Sequence, residues 1–136
     1  MLNPYLFYSG NCEAAFKYYE KVLGGKIEMM LRSDEAPESM PAPAGWEKKI
    51  MHARMTVGGT VLMASDSPPD HFHKPQGFAV SLTVKDPAEA EKKFNALCES
   101  GTVTMPFSKT FFSKGFGMAI DQFGIPWMVN CPLEGM

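Results

Sequence analysis

Met55-Thr56-Val57-Gly58-Gly59-Thr60-Val61-Leu62-Met63-Ala64-Ser65 reads as two short strands around a glycine pair. Later in the chain, Met118-Ala119-Ile120-Asp121-Gln122-Phe123-Gly124-Ile125-Pro126-Trp127-Met128-Val129-Asn130 repeats the pattern with a longer turn. Apolar positions coincide almost throughout once the turns are aligned. Gly58-Gly59 supplies the positive φ angles that a tight hairpin turn demands, where a residue with a Cβ is strained. A hairpin duplicated within one chain points to an internal repeat, and the flanking segments follow the same order in both places.

Upstream of the first hairpin, Pro4 to Tyr8 is an aromatic strand, and Asn11 is placed to cap a helix whose apolar positions are Cys12, Ala15, Phe16, Tyr19, Val22 and Leu23. That three-and-four spacing lays one apolar stripe along a helix, and Gly24-Gly25 ends it. Lys26 to Arg32 is a strand. Ser33 to Glu47, with Pro37, Pro41 and Pro43 and no periodicity, reads as a mobile surface loop. Lys49 to Val57 and Thr60 to Ser65 complete the first half. The linker 67–76 carries Pro68, Pro69 and Pro75, after which the order begins again. Phe78 to Val84 is a strand, and Asp86-Pro87-Ala88-Glu89 opens a helix with a capping side chain and a first-turn proline. Ala90, Phe94, Leu97 and Cys98 are its buried stripe, and Gly101 ends it. Thr102 to Met105 is a short strand, and Lys114 to Ile120 with Ile125 to Cys131 form the last hairpin. The expected architecture is α+β: one domain over 1–136, built from two βαβββ modules at about 1–66 and 77–136.

At 136 residues the chain suits a single domain. Its 45% hydrophobic and 21% charged residues are ordinary for a globular protein, and 13 basic against 15 acidic residues leave a net charge of -2. Neither nucleic acid nor membrane is expected as a partner. Met1-Leu2-Asn3-Pro4 lacks the features of a secretory signal, so a cytoplasmic location is expected. Cys12, Cys98 and Cys131 are odd in number and match no metal spacing, which reads as reduced thiols.

Two βαβββ modules in a chain of this length resemble the vicinal oxygen chelate superfamily, which contains glyoxalase I, extradiol dioxygenases and bleomycin resistance proteins. The opening Asn3-Pro4-Tyr5-Leu6-Phe7, the helical Phe16-Lys17-Tyr18-Tyr19, the middle Met51-His52-Ala53-Arg54 and the closing Gly117-to-Met128 segment are similar to its PhnB-like branch. The resemblance implies cupped mixed sheets of the glyoxalase/bleomycin-resistance type, and homodimers, which are common in the superfamily. Some members of the branch carry a demethylubiquinone methyltransferase label, but no glycine-rich loop between strand and helix is present to cradle S-adenosylmethionine, and that label is not carried over. In metal-dependent members, the first and fourth strands of each module supply ligands. Those positions map here to Pro4 or Tyr5, Met63, Phe78 or Ala79, and Met128. Thioether, proline and phenylalanine do not suit a hard divalent ion, so neither metal nor cofactor is expected.

Hairpin register then sorts the side chains by face. A two-residue turn at Gly58-Gly59 sets Val57 opposite Thr60, Met55 opposite Leu62 and Arg54 opposite Met63. Ala53, Met55, Val57, Leu62 and Ala64 share the helix face. His52, Arg54, Met63 and Ser65 share the other, which is expected to line the cup. The same reasoning applied to the second hairpin puts Gly115, Gly117, Met128 and Asn130 in the cup, with Phe116, Met118 and Trp127 against the helix.

The expected function is a glyoxalase-like protein that acts without metal on a small, anionic molecule in the cup between modules. His52 is the candidate acid–base catalytic residue, while Arg54, Met63, Ser65, Met128 and Asn130 are candidate substrate-binding residues. The alternative is a non-catalytic binder that sequesters a small molecule. In the competing local reading, His52 is a hydrogen-bonded strand residue and Arg54 an edge salt bridge. Asp70-His71-Phe72-His73 is the one metal-like cluster, in a loop without further ligands. Trp46 and Met40 are candidates to close over a ligand or over a dimer partner, with static packing of the aromatic as the alternative.

Overall fold

The computed structural model describes residues 1–36 and 44–134. The chain divides into two compact units, Met1–His73 and Lys74–Met136, with the division inside the proline-rich linker.

In the first unit the order is β1 (Tyr5–Tyr8), α1 (Cys12–Leu23), β2 (Lys26–Arg32), a 3-10 turn (Ser33–Glu35), β3 (Ile50–Val57) and β4 (Thr60–Asp66). The four strands form one mixed sheet in the order β1-β4-β3-β2, with β1 parallel to β4 and the other pairs antiparallel. Helix α1 packs on one face of it. The buried stripe Cys12, Ala15, Phe16, Tyr19 and Leu23 meets Leu6, Tyr8, Ala53, Met55, Leu62 and Ala64. Phe16 stands edge-on to Tyr8 at 6.4 Å, and the Tyr8 hydroxyl donates to that of Tyr19 at 3.1 Å, so the one polar group of each buried ring is satisfied.

The second unit repeats this plan with β5 (Val80–Thr83), α2 (Pro87–Cys98), β6 (Thr102–Thr110), β7 (Ser113–Ile120) and β8 (Pro126–Pro132), in the sheet order β5-β8-β7-β6. The Asp86 carboxylate caps α2 by accepting from the Glu89 amide at 3.0 Å. Ala90, Phe94 and Leu97 pack on Ala119, Trp127 and Val129. Asp121 is buried at the base of the β7–β8 turn and takes the amides of Phe123 and Ile125 and the indole N–H of Trp127, at 2.8 to 3.0 Å.

Both helices end in the same way. A left-handed residue, Gly24 (φ 75°) or Ser100 (φ 58°), is followed by a glycine pressed on the sheet. A Cβ on Gly25 would lie 3.1 Å from the Thr56 carbonyl, and one on Gly101 would collide with the backbone of Ile120 and Asp121. This shared device strengthens the internal repeat at a level that apolar patterning does not reach.

Three local expectations are corrected. Asn11 does not cap α1: its Oδ1 is buried with no partner among the described residues, and its place is taken by Asp66 at the end of β4. Asp66 Oδ1 accepts from Gly10 N at 3.0 Å and Cys12 N at 2.9 Å, while Oδ2 accepts from Ile50 N at 2.9 Å. An ionised carboxylate at a helix start also meets the positive end of the helix dipole, an advantage that a neutral amide lacks. Strand β6 runs to Thr110, past the expected Met105, through register shifts against β7 that let Pro106 sit at a sheet edge. Strand β5 begins at Val80, so the first-strand position opposite Met128 is Ser81 and neither Phe78 nor Ala79.

Candidate functional site

The first sheet has a helix-covered face and an open one, and strand pairing arranges the open face in rows. Met29, Arg54, Met63 and Tyr5 form one row across β2, β3, β4 and β1, each opposite the next. In the adjacent row, Leu31 is opposite His52, and Ser65 is opposite Phe7. Alternation along β3 and β4 puts His52 and Ser65 on the same side as Arg54 and Met63. The expected quartet of the first module therefore does gather on one face, because the Gly58-Gly59 turn fixes the register that joins Arg54 to Met63.

The same face holds residues that the hairpin alone does not reveal. The Tyr5 hydroxyl lies 3.3 Å from His52 Nδ1, with the two rings tilted at 5.8 Å between centroids. Phe7 stands 5.1 Å from Tyr5. Tyr5, Phe7 and Met29 remain exposed, an unusual state for three large apolar side chains on one sheet face. Their membership depends on the parallel β1–β4 pairing and on a bulge in β2 between Ile27 and Met29, neither of which a strand pattern encodes. Of the competing local readings, an edge salt bridge is absent: Arg54 makes no ion pair or hydrogen bond with the described residues. His52, by contrast, is hydrogen-bonded, and on the open face. A neutral imidazole carries one N–H, so in that form either the phenol donates to Nδ1 or Nδ1 donates to the phenol oxygen, leaving Nε2 as the complementary donor or acceptor.

In the second sheet, Met105, Met118, Met128 and Ser81 form one row and Ser108, Phe116, Asn130 and Thr83 the next. Met128 and Asn130 thus occupy the positions that Met63 and Ser65 hold in the first unit. Asn130 Oδ1 is buried without a hydrogen-bond partner among the described residues. The glycines, however, are on the other side. Gly117 is opposite Val129 on the helix face, where a Cβ would lie 2.6 Å from the Phe94 ring, and a Cβ on Gly115 would collide with Phe107. Phe116 and Met118 take the open face in their stead. The observed register pairs Ile120 with Pro126 around the five residues 121–125, and a turn shorter by one residue would reverse every face assignment along β7.

The two superfamily ligand positions of the first unit are Tyr5 and Met63, and those of the second are Ser81 and Met128. A phenol already engaged with His52, a hydroxyl and two thioethers do not fit a hard divalent ion. No group of three histidine, cysteine or acidic side chains among the described residues is arranged to hold a metal. In the linker, Asp70 and His71 approach to 3.7 Å but are both exposed. Cys12 is inert as a nucleophile, since burial, then Asp66 and Glu13, push its thiol far above the ordinary value. Cys131 donates to the Lys85 carbonyl at 3.3 Å.

A second concavity, of about 520 Å³, lies at the start of α1 and is lined by Gly10, Glu13, Arg32, Lys49 and Asp66 among others. Its polar groups are already engaged. Arg32 forks onto both Glu13 oxygens at 2.9 Å, Lys49 Nζ donates to the Gly10 carbonyl, and Lys48 pairs with Asp34 at 2.6 Å. Arg32, then Lys17, hold the Glu13 carboxyl at about 2. This is a clasp: it fixes the flanks of the long loop, where Asp34 N also donates to Glu47 O and Ser33 N to Lys49 O. Trp46 belongs to it, lying under Lys49 Nζ at 5.9 Å, while Met40 falls outside the described residues.

Comparison with known proteins agrees with the fold. Residues 1–129 match the family model of the Glyoxalase/Bleomycin resistance protein/Dioxygenase superfamily. Protein YjdN of Escherichia coli K12 is 33% identical over 137 aligned residues, covering 95% of this chain and 93% of that one. The crystal structure of PA1353 from Pseudomonas aeruginosa has 48% identity and a TM-score of 0.89, with 97% of each chain covered. A Bacillus cereus PhnB protein, whose name includes 3-demethylubiquinone-9 3-methyltransferase, has 26% identity and a TM-score of 0.81, covering 95% of this chain and 97% of its own.

Proposed function

Starting from the fact that this chain belongs to the glyoxalase/bleomycin resistance/dioxygenase superfamily, we propose that it is a metal-independent protein that takes a small molecule on the open face of its first sheet. Arg54 anchors the ligand, the Tyr5–His52 pair exchanges a proton with it, and Met63 and Ser65 shape the floor. The observation that carries this reading is the guanidinium of Arg54, unpaired among the described residues, in the row beside a hydrogen-bonded tyrosine and histidine. A structural arginine is ordinarily paired, as Arg32 is with Glu13. On the second sheet, taken by itself, Met128 and Asn130 hold the positions equivalent to Met63 and Ser65, and Asn130 Oδ1, buried without a partner among the described residues, supports a ligand contact there as well.

No step is routed through a metal, because the residues at the ligand positions do not fit one. The chemistry available is proton transfer: Nε2 of His52 takes or gives a proton while the Tyr5 hydroxyl holds the ring through Nδ1. The second reading is a binder without turnover, favoured by the same donor set, since the loss of metal ligands removes the superfamily's usual activating group. A thermal-shift screen of metabolites followed by a turnover assay separates the two. Conversion that His52→Ala abolishes, with binding retained, supports catalysis; binding without conversion supports sequestration; no ligand shift that Arg54→Gln weakens contradicts both.

The methyltransferase label is not adopted. The start of α1, where a nucleotide-type loop would present free amides, is filled by the chain's own Asp66. We also propose a cytoplasmic homodimer. Supporting it, edge strand β6 exposes Val103 and Met105, and the adjoining turn exposes Phe111 almost completely; a monomer by light scattering at micromolar concentration would count against it.

A further inference from the structure

We infer that the ligand of the first unit's open face is a flat aromatic or conjugated monoanion, with its carboxylate on Arg54 and its ring against Tyr5, Phe7 and His52. This rests on the open face being the ligand site and adds what that site selects.

Charge comes first. In the two rows of the face, Arg54 is the one permanent cation and no acidic side chain is present. Glu28, at the same end of the sheet, accepts from the Thr56 hydroxyl at 3.2 Å and makes no ion pair with Arg54. Of the other cations of this unit, Arg32 and Lys17 are engaged with Glu13, Lys48 with Asp34 and Lys49 with Gly10 O, while Lys26 lies opposite Thr56, outside these two rows. One unneutralised guanidinium matches one carboxylate through a two-point fork. A phosphate or dianion calls for a second cation or a cradle of backbone amides, and these two rows hold no second cation. The backbone amides of β3 and β4 offer no such cradle, because each strand is paired on both sides.

Shape comes second. Arg54 is flanked along its row by Met29 and Met63, then Tyr5, with Phe7 and His52 in the next row. Ring centroids 5.1 and 5.8 Å apart form a nearly continuous aromatic strip along the β1 edge. Thioethers and ring faces attract flat, polarisable groups more strongly than saturated ones of equal size. The length also fits: from Arg54 on β3 to Tyr5 on β1 is two strand spacings, roughly 10 Å, which spans a carboxylate and one or two fused rings.

The test is titration calorimetry of the full chain with four probes: 4-hydroxybenzoate, cyclohexanecarboxylate, p-cresol and acetate. Methionine-methyl NMR spectra of the same samples report where each binds. The expected order places 4-hydroxybenzoate about tenfold or more tighter than the saturated acid, the neutral phenol and acetate. Met29 and Met63 methyl signals move with it. Arg54→Gln removes the preference for the acid over p-cresol while p-cresol still binds, Arg54→Lys keeps part of it, and Tyr5→Leu removes the preference for the aromatic acid over the saturated one. Equal affinity for p-cresol or for cyclohexanecarboxylate, with the same methyls moving, overturns the ligand class and leaves the site standing. Binding of 4-hydroxybenzoate with Met29 and Met63 silent, or no binding at all, overturns the site on which the class rests. Retained methyl dispersion in each variant shows that it has folded.

Discussion

Replacing Asp66 with alanine should cost the protein about 3 kcal/mol, a figure that follows from three backbone donors on one carboxylate. Gly10 N, Cys12 N and Ile50 N lie 3.0, 2.9 and 2.9 Å from its oxygens. Hydrogen bonds to a charged group contribute about 1.5–3 kcal/mol each when fully desolvated. Asp66 is half-buried, so water can replace part of each bond and about 1 kcal/mol apiece is appropriate. At about 4 °C per kcal/mol for a chain of this size, the melting temperature falls roughly 10 °C. Asp66→Asn keeps one acceptor oxygen but loses the charge and one bond, and should fall about halfway. Asn11→Ala is the internal control. Its Oδ1 is buried with no partner among the described residues, so its removal should cost under about 0.5 kcal/mol despite the cap-like position in the sequence. Urea denaturation followed by far-UV circular dichroism at constant m-value gives all three numbers. If Asn11→Ala cost more than Asp66→Ala, the assignment of the cap to Asp66 would be refuted.

Three further outcomes follow. Gly117→Ala should lower stability by about 1–3 kcal/mol, because the new Cβ meets the Phe94 ring at 2.6 Å; a neutral result in the same urea assay would mean that the glycine opens on free space. Glu13→Gln should destabilise by about 1 kcal/mol at neutral pH, a modest figure because the pair is a third exposed and screened. Since Arg32 and Lys17 lower the Glu13 carboxyl from 4.5 to about 2, its contribution is full above pH 4.5 and fades as pH falls towards 2; a wild-type–variant gap that widens in acid would contradict the pairing. Asp121→Ala should cost more than 3 kcal/mol or prevent folding, as three donors, two of them buried and one of these the Trp127 indole, lose their acceptor; Asp121→Asn, which keeps two lone-pair acceptors at Oδ1, should be milder, and equal melting temperatures for the two variants would count against the bonding scheme.

The fold was legible because every cue was local. Apolar spacing marks both helices, Gly58-Gly59 fixes a two-residue turn, and the second hairpin repeats the first. The site was legible only as far as that turn carried it. Arg54 opposite Met63 follows from Gly58-Gly59 by counting, whereas the turn at residues 121–125 has no glycine pair to fix its length, and a one-residue difference moved Gly115 and Gly117 from one face to the other. Tyr5 and Phe7 reach the face through a parallel pairing with β4 that has no turn to count from. The Asp66 cap joins residues 54 positions apart, while Asn11, beside the helix start, has the better local credentials and an Oδ1 without a partner among the described residues.

The most direct test of the central claim is a crystal structure of the protein grown with an excess of both a divalent metal and 4-hydroxybenzoate. The account predicts the ring across Met63 and Tyr5, the carboxylate on Arg54 and no metal at Tyr5 or Met63. A divalent ion bound at those positions, or the acid bound away from the Arg54 row, would contradict it.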